Sequence, residues 1–320
     1  MLFLAGCRGE GDNTTVLRLG HGMAPSHPVS KGMRYMGEKL DSLSGGKMEI
    51  EIYPSEQLGT ERQCLELLQL GSLDITKVSS AVMEGFAHEY RVFGLPYIFQ
   101  NRTHRFAVLE GEIGRDILLS GREVGLRGLT YYDAGSRSFY TRNTPIRTPS
   151  DLKELKIRVQ QSPMAIKMVD QLKAEPTPIS WGELYTALQQ GVVDGAENNP
   201  PSLHTTHQYE VINYYSLDRH TAPPDVLLVG TETWEDLSDQ EREWLQKAAN
   251  LSLKRQKTLW RQAEREAMKV IKKAGVTVVQ PEKSKFAEAV RPLYKRIQKT
   301  QPKVYDLLQR IRSLEVSDDS

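Results

Sequence analysis

From Ser238 to Ala274 the chain runs without a proline or glycine. Ser238 followed three residues later by Glu241 is a capping-box pattern, which marks a helix start with two mutually satisfied backbone donors. At about 1.5 Å per residue such a helix spans roughly 50 Å, more than one compact lobe is wide. No apolar heptad persists along it, so a coiled coil is a poor alternative. The chain must therefore build a structure large enough to use a helix of that length, and 320 residues suffice for two lobes with sizeable cores.

Upstream, strand and helix patterns alternate. Val16 to His21 and Met48 to Tyr53 read as strands, and Lys31 to Leu43 as a helix ended by Gly45 and Gly46. Thr60 to Leu70 is a helix with Gln63 completing a Thr-x-x-Gln capping box, and Asp74 to Val78 is a third strand. A helix over Thr103 to Leu118 and a strand over Gly128 to Tyr132 follow. Val276 to Val279 is a last strand, with one or two helices over Phe286 to Ile311. This alternation predicts an α/β fold with a mainly parallel, doubly wound sheet.

The segment from Leu155 to Asn199 holds the most chemistry. Lys156, Ile157, Arg158 and Val159 alternate as a short strand, so Arg158 stands on the face opposite its apolar neighbours. Ser180 and Glu183 predict a capped helix stopping at Gly191, with Trp181 in its first turn, and Val192 to Asp194 a strand leading into Glu197, Asn198 and Asn199. Pro200 and Pro201 stop that strand. Polar groups at the carboxyl ends of adjacent strands are how open α/β sheets build ligand crevices. A guanidinium suits a carboxylate, an indole a sugar face, and an amide beside a carboxylate suits hydroxyls.

The ordered motifs LGTERQCLELLQLGSLDIT, FGLPYIF, DLKELKIRV and ELYTALQQGVVDGAENN resemble the periplasmic solute-binding proteins of TRAP transporters, over roughly Val16 to Ile311. The resemblance implies a two-lobed periplasmic binding protein fold, each lobe a mixed, mainly parallel sheet flanked by helices, with the long helix spanning both. It places lobe I at 16–136 and 225–263 and lobe II at 137–224 and 264–320. It also implies an extracytoplasmic monomer that closes over an organic acid and delivers it to membrane permease subunits, without a cofactor.

Residue by residue, Arg158 matches the arginine that clamps the ligand carboxylate. Arg137, in GSRSFYT, matches a second arginine of sugar-acid binders, although pairing with a hinge carboxylate such as Asp133 fits the sequence equally. Asn198 and Trp181 match positions that contact ligand. His27, Ser79, Glu197 and His220 sit on loops or strand ends facing the expected crevice. This set is richer in hydroxyl partners than a simple dicarboxylate needs, so a hexuronate such as glucuronate or galacturonate is the expected ligand. C4-dicarboxylates, aldonates and sialic acid are the alternatives within that class. Outside it stand a sugar-acid lyase or hydrolase using Glu197 and a histidine, and a sensor domain for a signalling partner.

Composition narrows the rest. The net charge of +1 offers no global field for nucleic acid or an anionic membrane surface, so any anion is held by local groups. Of two cysteines, Cys64 falls on the apolar face of a helix, and Glu61 and Arg62 beside it read as surface charges. Leu4, Ala5, Gly6 and Cys7 match a lipobox after an apolar stretch too short for a complete signal, which predicts a truncated lipoprotein signal and tether over 1–15 with Cys7 lipidated. His204 and His207 lack a third ligand at helical spacing, so no metal site is expected.

Overall fold

The computed structural model describes residues 14–316. Cys7 and the terminal Asp318, Asp319 and Ser320 lie outside them. Eleven strands follow in chain order: β1 (Thr15–His21), β2 (Met48–Tyr53), β3 (Ile75–Ser79), β4 (Leu126–Tyr132), β5 (Arg137–Thr141), β6 (Lys156–Val159), β7 (Glu175–Pro178), β8 (Gly195–Asn198), β9 (Tyr214–Thr221), β10 (Asp225–Gly230) and β11 (Thr277–Val279). The helices are α1 (Pro28–Ser44), α2 (Glu61–Gln69), α3 (Ser80–Met83), α4 (Arg102–Glu110), α5 (Glu112–Leu119), α6 (Pro163–Gln171), α7 (Leu184–Gln190), α8 (Pro200–Thr205), α9 (Thr231–Asp236), α10 (Asp239–Lys273), α11 (Lys283–Ala289), α12 (Arg291–Thr300) and α13 (Pro302–Ser313). None is long and apolar enough to cross a membrane, among the described residues.

Two mixed sheets result. Sheet A has the order β2-β1-β3-β10-β4 and sheet B the order β11-β9-β5-β8-β6-β7. β1 pairs parallel with β2 and β3, whereas β10 enters antiparallel between β3 and β4, so parallel and antiparallel pairing share sheet A evenly. In sheet B, β5 is antiparallel to both neighbours and the remaining pairs are parallel. Long parallel crossovers carry the helices, and the antiparallel strands mark where the chain passes between sheets.

The chain passes between the sheets at residues 133–136 and returns at 222–224, where Pro223 and Pro224 break β9 from β10. α10 is the third link. Its Ser238–Glu241 capping box forms as expected, and the helix packs against α1 and β4 on one side and α8 on the other. Buried Gln256 clamps the first crossover, accepting from the Asp133 backbone N–H at 2.9 Å and donating to the Asp133 carbonyl at 2.8 Å. One apolar core runs under sheet A and across to β6, α6 and the terminal helices, and a smaller one fills the space around α7 and β9.

Several elements differ from expectation. Thr15, placed in the tether, instead opens β1 in register with Met48. The 103–118 helix is broken at Gly111, where a Cβ would lie 2.6 Å from the Ala107 carbonyl oxygen, so the chain turns and restarts as α5. The second strand of the binding segment starts at Gly195 rather than Val192, because residues 191–194 form the turn that follows the left-handed Gly191. Three terminal helices form where one or two were expected. α11 packs on β9 and α12 on α6, but α13 lies against α5 and the 3-10 turn His88–Gly94 beside sheet A. A further link ties the two halves together: Glu84, just after α3, accepts the Met164 backbone N–H of α6 at 2.9 Å.

Candidate functional site

Between the sheets lies a cleft lined from both sides, by Arg158, Arg137, Asn198 and Trp181 from the sheet B half and by His27, Ser79 and Lys77 from the sheet A half. The halves meet across it: Ser79 Oγ donates to Gln160 Oε1 at 3.3 Å, and His27 Nε2 stands 3.5 Å from Ser202 Oγ.

Arg158 is 2% exposed, in a strand flanked on both sides by parallel partners. Its Nε donates to the Ile179 carbonyl at 2.9 Å, while Nη1 is buried without a hydrogen-bond partner. No carboxylate among the described residues forms an ion pair with it. Burial, with Arg137 as a neighbouring cation, pulls its pKa below the ordinary arginine value. A guanidinium buried in this way is costly until an anion joins it.

Arg137 is different, because its charge is already matched. Its Nε and Nη2 form a two-pronged contact with the Glu197 carboxylate, Nη2 to Oε1 measuring 2.8 Å. Nη2 also donates to the Glu197 carbonyl at 2.7 Å, and Nη1 to Asn198 Oδ1 at 3.0 Å. The alternative partner Asp133 is taken by Arg102 and Arg105, the latter at 2.7 Å. β5 and β8 run antiparallel here with Ser138 opposite Asn198, which sets Arg137 beside both acceptors.

Asn198 Oδ1 also accepts the Asn199 backbone N–H at 2.9 Å and Asn199 Nδ2 at 3.0 Å. Three donors on one oxygen fix the amide's orientation and leave Nδ2 as a donor on a residue that lines the cleft.

Glu197 and His220 do not line the cleft; they stand behind Arg137. Burial would raise the Glu197 carboxyl, but the Arg137 charge and its bonds, with the charge of nearby His220, outweigh it and hold it at about 2. Burial would lower the His220 pKa, but Asp218, bonded to Nδ1 at 2.7 Å, and Glu197, 3.5 Å from Nε2, raise it to about 9. The result is a row of alternating charge, Asp218, His220, Glu197, Arg137, ending at Asn198. His220 faces a separate cavity on the far side of the crossover, beside Arg102 and Arg219.

His27 caps α1, its Nδ1 accepting the Val29 N–H at 3.3 Å, and burial with nearby Lys77 lowers its pKa far enough to keep the ring neutral. Ser79 caps α3. Trp181 lies in the turn before α7 rather than within a helix, since Ser180 bonds the Glu183 side chain without capping a backbone N–H, and the helix begins only at Leu184. From there Trp181 reaches across to Gly22, where a Cβ would lie 3.6 Å from its ring.

Sequence reasoning missed Lys77, Asp225 and Trp260. Lys77 Nζ bonds Glu61 Oε1 at 2.9 Å and Asp225 Oδ1 at 3.3 Å. Glu61 is therefore a partly buried ion-pair partner rather than a free surface charge; Arg62 is exposed. A lysine inside the otherwise uncharged run Ile75–Ser79 was the available signal, because a buried ammonium demands anions. Trp260, fully buried on α10, reaches the cleft beside His27 with ring centroids 5.9 Å apart. Cys64 is buried as expected.

Residues 19–301 match the model of the bacterial extracellular solute-binding protein family 7. A TRAP periplasmic solute-binding protein of Xanthobacter autotrophicus Py2, solved with bound β-D-galacturonate, is 37% identical over 93% of this chain and all of that one, with a TM-score of 0.90. One from Roseobacter denitrificans, solved with β-D-glucuronate, is 32% identical over 94% of this chain and all of its own, with a TM-score of 0.91. The C4-dicarboxylate-binding periplasmic protein DctP of Rhodobacter capsulatus is 30% identical over 87% of this chain and 85% of its own. The family match spans most of the chain and the fold agrees throughout, so this protein belongs to family 7 of the bacterial extracellular solute-binding proteins, the TRAP transporter receptors that its motifs resemble.

Proposed function

We propose that this receptor binds a hexuronate, D-galacturonate or D-glucuronate, with the carboxylate on Arg158, and hands it to the permease subunits of its transporter. The observation that carries the reading is Arg158 itself, a buried cation lining the cleft with an unpartnered Nη1 and no ion-pair carboxylate among the described residues. Asn198 Nδ2 donates to the same carboxylate or an adjacent hydroxyl, and Trp181 covers an apolar face of the sugar. Ser79 and neutral His27 meet hydroxyls from the other half. Glu197 and His220 act through Arg137, holding its fork in place.

Lobe I takes 16–136 and 225–263 and lobe II 137–224 and the chain from 264 through α12, with α13 packed back against lobe I, and the lobes rotate about the crossovers to close on ligand. Water solvates Arg158 in the open form, and the ligand carboxylate replaces that water on closure. The uronates bound to the Xanthobacter and Roseobacter proteins support the ligand class. Binding without turnover is supported by the fixed charges of Glu197 and His220, which stand clear of the cleft at pKa values of about 2 and about 9, far from those of a neutral-pH acid and base pair.

The test is a thermal-shift screen against hexuronates, aldonates, sialic acid, C4-dicarboxylates and aromatic acids. A ligand at about 100 times its Kd stabilises the fold by about 2.7 kcal/mol, a rise of several degrees. The expected result is a rise with one or two uronates that disappears in Arg158→Ala. A response to succinate with none to any uronate refutes the ligand assignment.

A further inference from the structure

The two walls of the cleft carry opposite charge. On the sheet B side stand Arg158 and the Arg137–Glu197 pair. On the sheet A side the Lys77 ammonium is held between Glu61 and Asp225, with the lysine side chain 1% exposed and each carboxylate side chain 10% exposed. One cation there serves two anions, Glu56, with a buried Oε1 that has no partner, adds a third carboxylate to the lining, and the only other cation of that wall among the described residues, Arg62, is exposed and already paired with Glu66 at 3.1 Å. That wall is net negative.

The bonds that Glu61 and Asp225 make within the protein use Glu61 Oε1, which also accepts the Ser79 N–H at 3.2 Å, and Asp225 Oδ1. Glu61 Oε2 and Asp225 Oδ2 take no part in these bonds, and both residues line the cleft. A carboxylate oxygen accepts a sugar hydroxyl through a charge-assisted bond, but it repels another carboxylate.

We propose that Glu61 and Asp225 form a charge filter, which admits polyhydroxy acids with one carboxylate and rejects acids carrying a second carboxylate at the end remote from Arg158. The filter presupposes the carboxylate on Arg158 proposed above. Lys77 does not rescue a second carboxylate, because its charge is already shared by two. Burial, with Glu61 beside it, holds the Asp225 carboxyl up to about 6 despite contact with Lys77, so the wall already resists its own full charge. For like charges about 5 Å apart at an effective dielectric constant near 20, the discrimination is on the order of 100-fold in affinity.

The test compares D-galacturonate, galactonate and galactarate by calorimetric titration and competition. Galactonate and galactarate are both open chains and differ at one end, hydroxymethyl against carboxylate, so ring opening is held constant between them. In the wild-type protein galactarate is expected to bind on the order of 100-fold more weakly than galactonate. In Asp225→Asn, and separately in Glu61→Gln, that gap should shrink by at least roughly tenfold. Each variant keeps one carboxylate on Lys77, and a thermal melt identifies the folded one if the other fails.

Equal binding of the two open-chain acids by the wild type overturns the filter. So does a gap unchanged in the folded variants, or exclusion of galactonate along with galactarate. Any of these with tight galacturonate binding leaves the receptor reading intact, whereas no galacturonate binding at all removes that reading first.

Discussion

Replacing Glu84 by Gln should flatten the dependence of stability on pH. The Glu84 carboxyl is fully buried, with Oε2 accepting the Met164 N–H and Oε1 unpartnered. Burial outweighs the bond from Met164 and the nearby Ser162 hydroxyl and raises its pKa from 4.5 to about 8. The folded state thus holds a proton that the unfolded chain releases near 4.5. This contribution to stability is fully present below that value and is lost as pH rises toward 8, at about 1.4 kcal/mol per pH unit. Between about pH 5 and about pH 8 the loss amounts to roughly 3.5 kcal/mol. Glutamine keeps a carbonyl oxygen for Met164 and has nothing to ionise.

His220, whose raised pKa acts with the same sign between 6.5 and about 9, and Glu197, whose lowered pKa acts with the opposite sign between 4.5 and about 2, are common to both proteins and cancel in the difference. Urea unfolding followed by tryptophan fluorescence at pH steps across this range measures it. The wild-type curve should fall relative to the Glu84→Gln curve with rising pH. Parallel curves would show that Glu84 ionises freely in the folded state and would refute the reasoning.

Other consequences are open to simpler tests. Arg158→Lys should weaken uronate binding by about 100-fold, because a point charge cannot serve the Ile179 carbonyl and a carboxylate with one planar fork; titration within about threefold of wild type would remove that role. Gly135→Ala should cost about 1–3 kcal/mol in urea unfolding, since Gly135 has φ +64 and an added Cβ would lie 3.0 Å from Trp260 Nε1. Asp133→Asn leaves the Arg102 and Arg105 guanidinium groups without their anion, and a lowering of Tm corresponding to about 3–5 kcal/mol is expected by calorimetry.

Much of this was legible in the sequence where local rules act. The capping boxes at Thr60 and Ser238 formed as their spacing required, and Gly45 closed α1 in the left-handed region. Strand alternation set Arg158 apart from its apolar neighbours, and it lines the cleft from β6. What local rules could not supply was pairing across long separations. Nothing near Arg137 distinguishes Glu197 from Asp133 as its partner; that depends on β5 lying against β8 while Arg105 reaches the crossover from α4. Lys77 looked like an ordinary strand residue because Asp225, 148 positions later, is brought to it only when β10 inserts beside β3. Trp181 was misplaced for a smaller reason: Ser180 and Glu183 bond each other's side chains, a contact the spacing permits without making a cap.

The insertion of β10 also constrains how the protein is made. β3 and β4 have no contact through the ladder except through β10, whose residues follow the whole of the second sheet's central strands in the chain. A ribosome or translocon that has released only the first 136 residues has produced two halves of a sheet with exposed facing edges. That sheet cannot close until about ninety further residues emerge, so its slow step is a non-local strand capture rather than local helix formation. Until then the unpaired edges of β3 and β4 invite strands from other chains. A fragment ending before Asp225 should accordingly aggregate, and adding the missing strand in trans should rescue it.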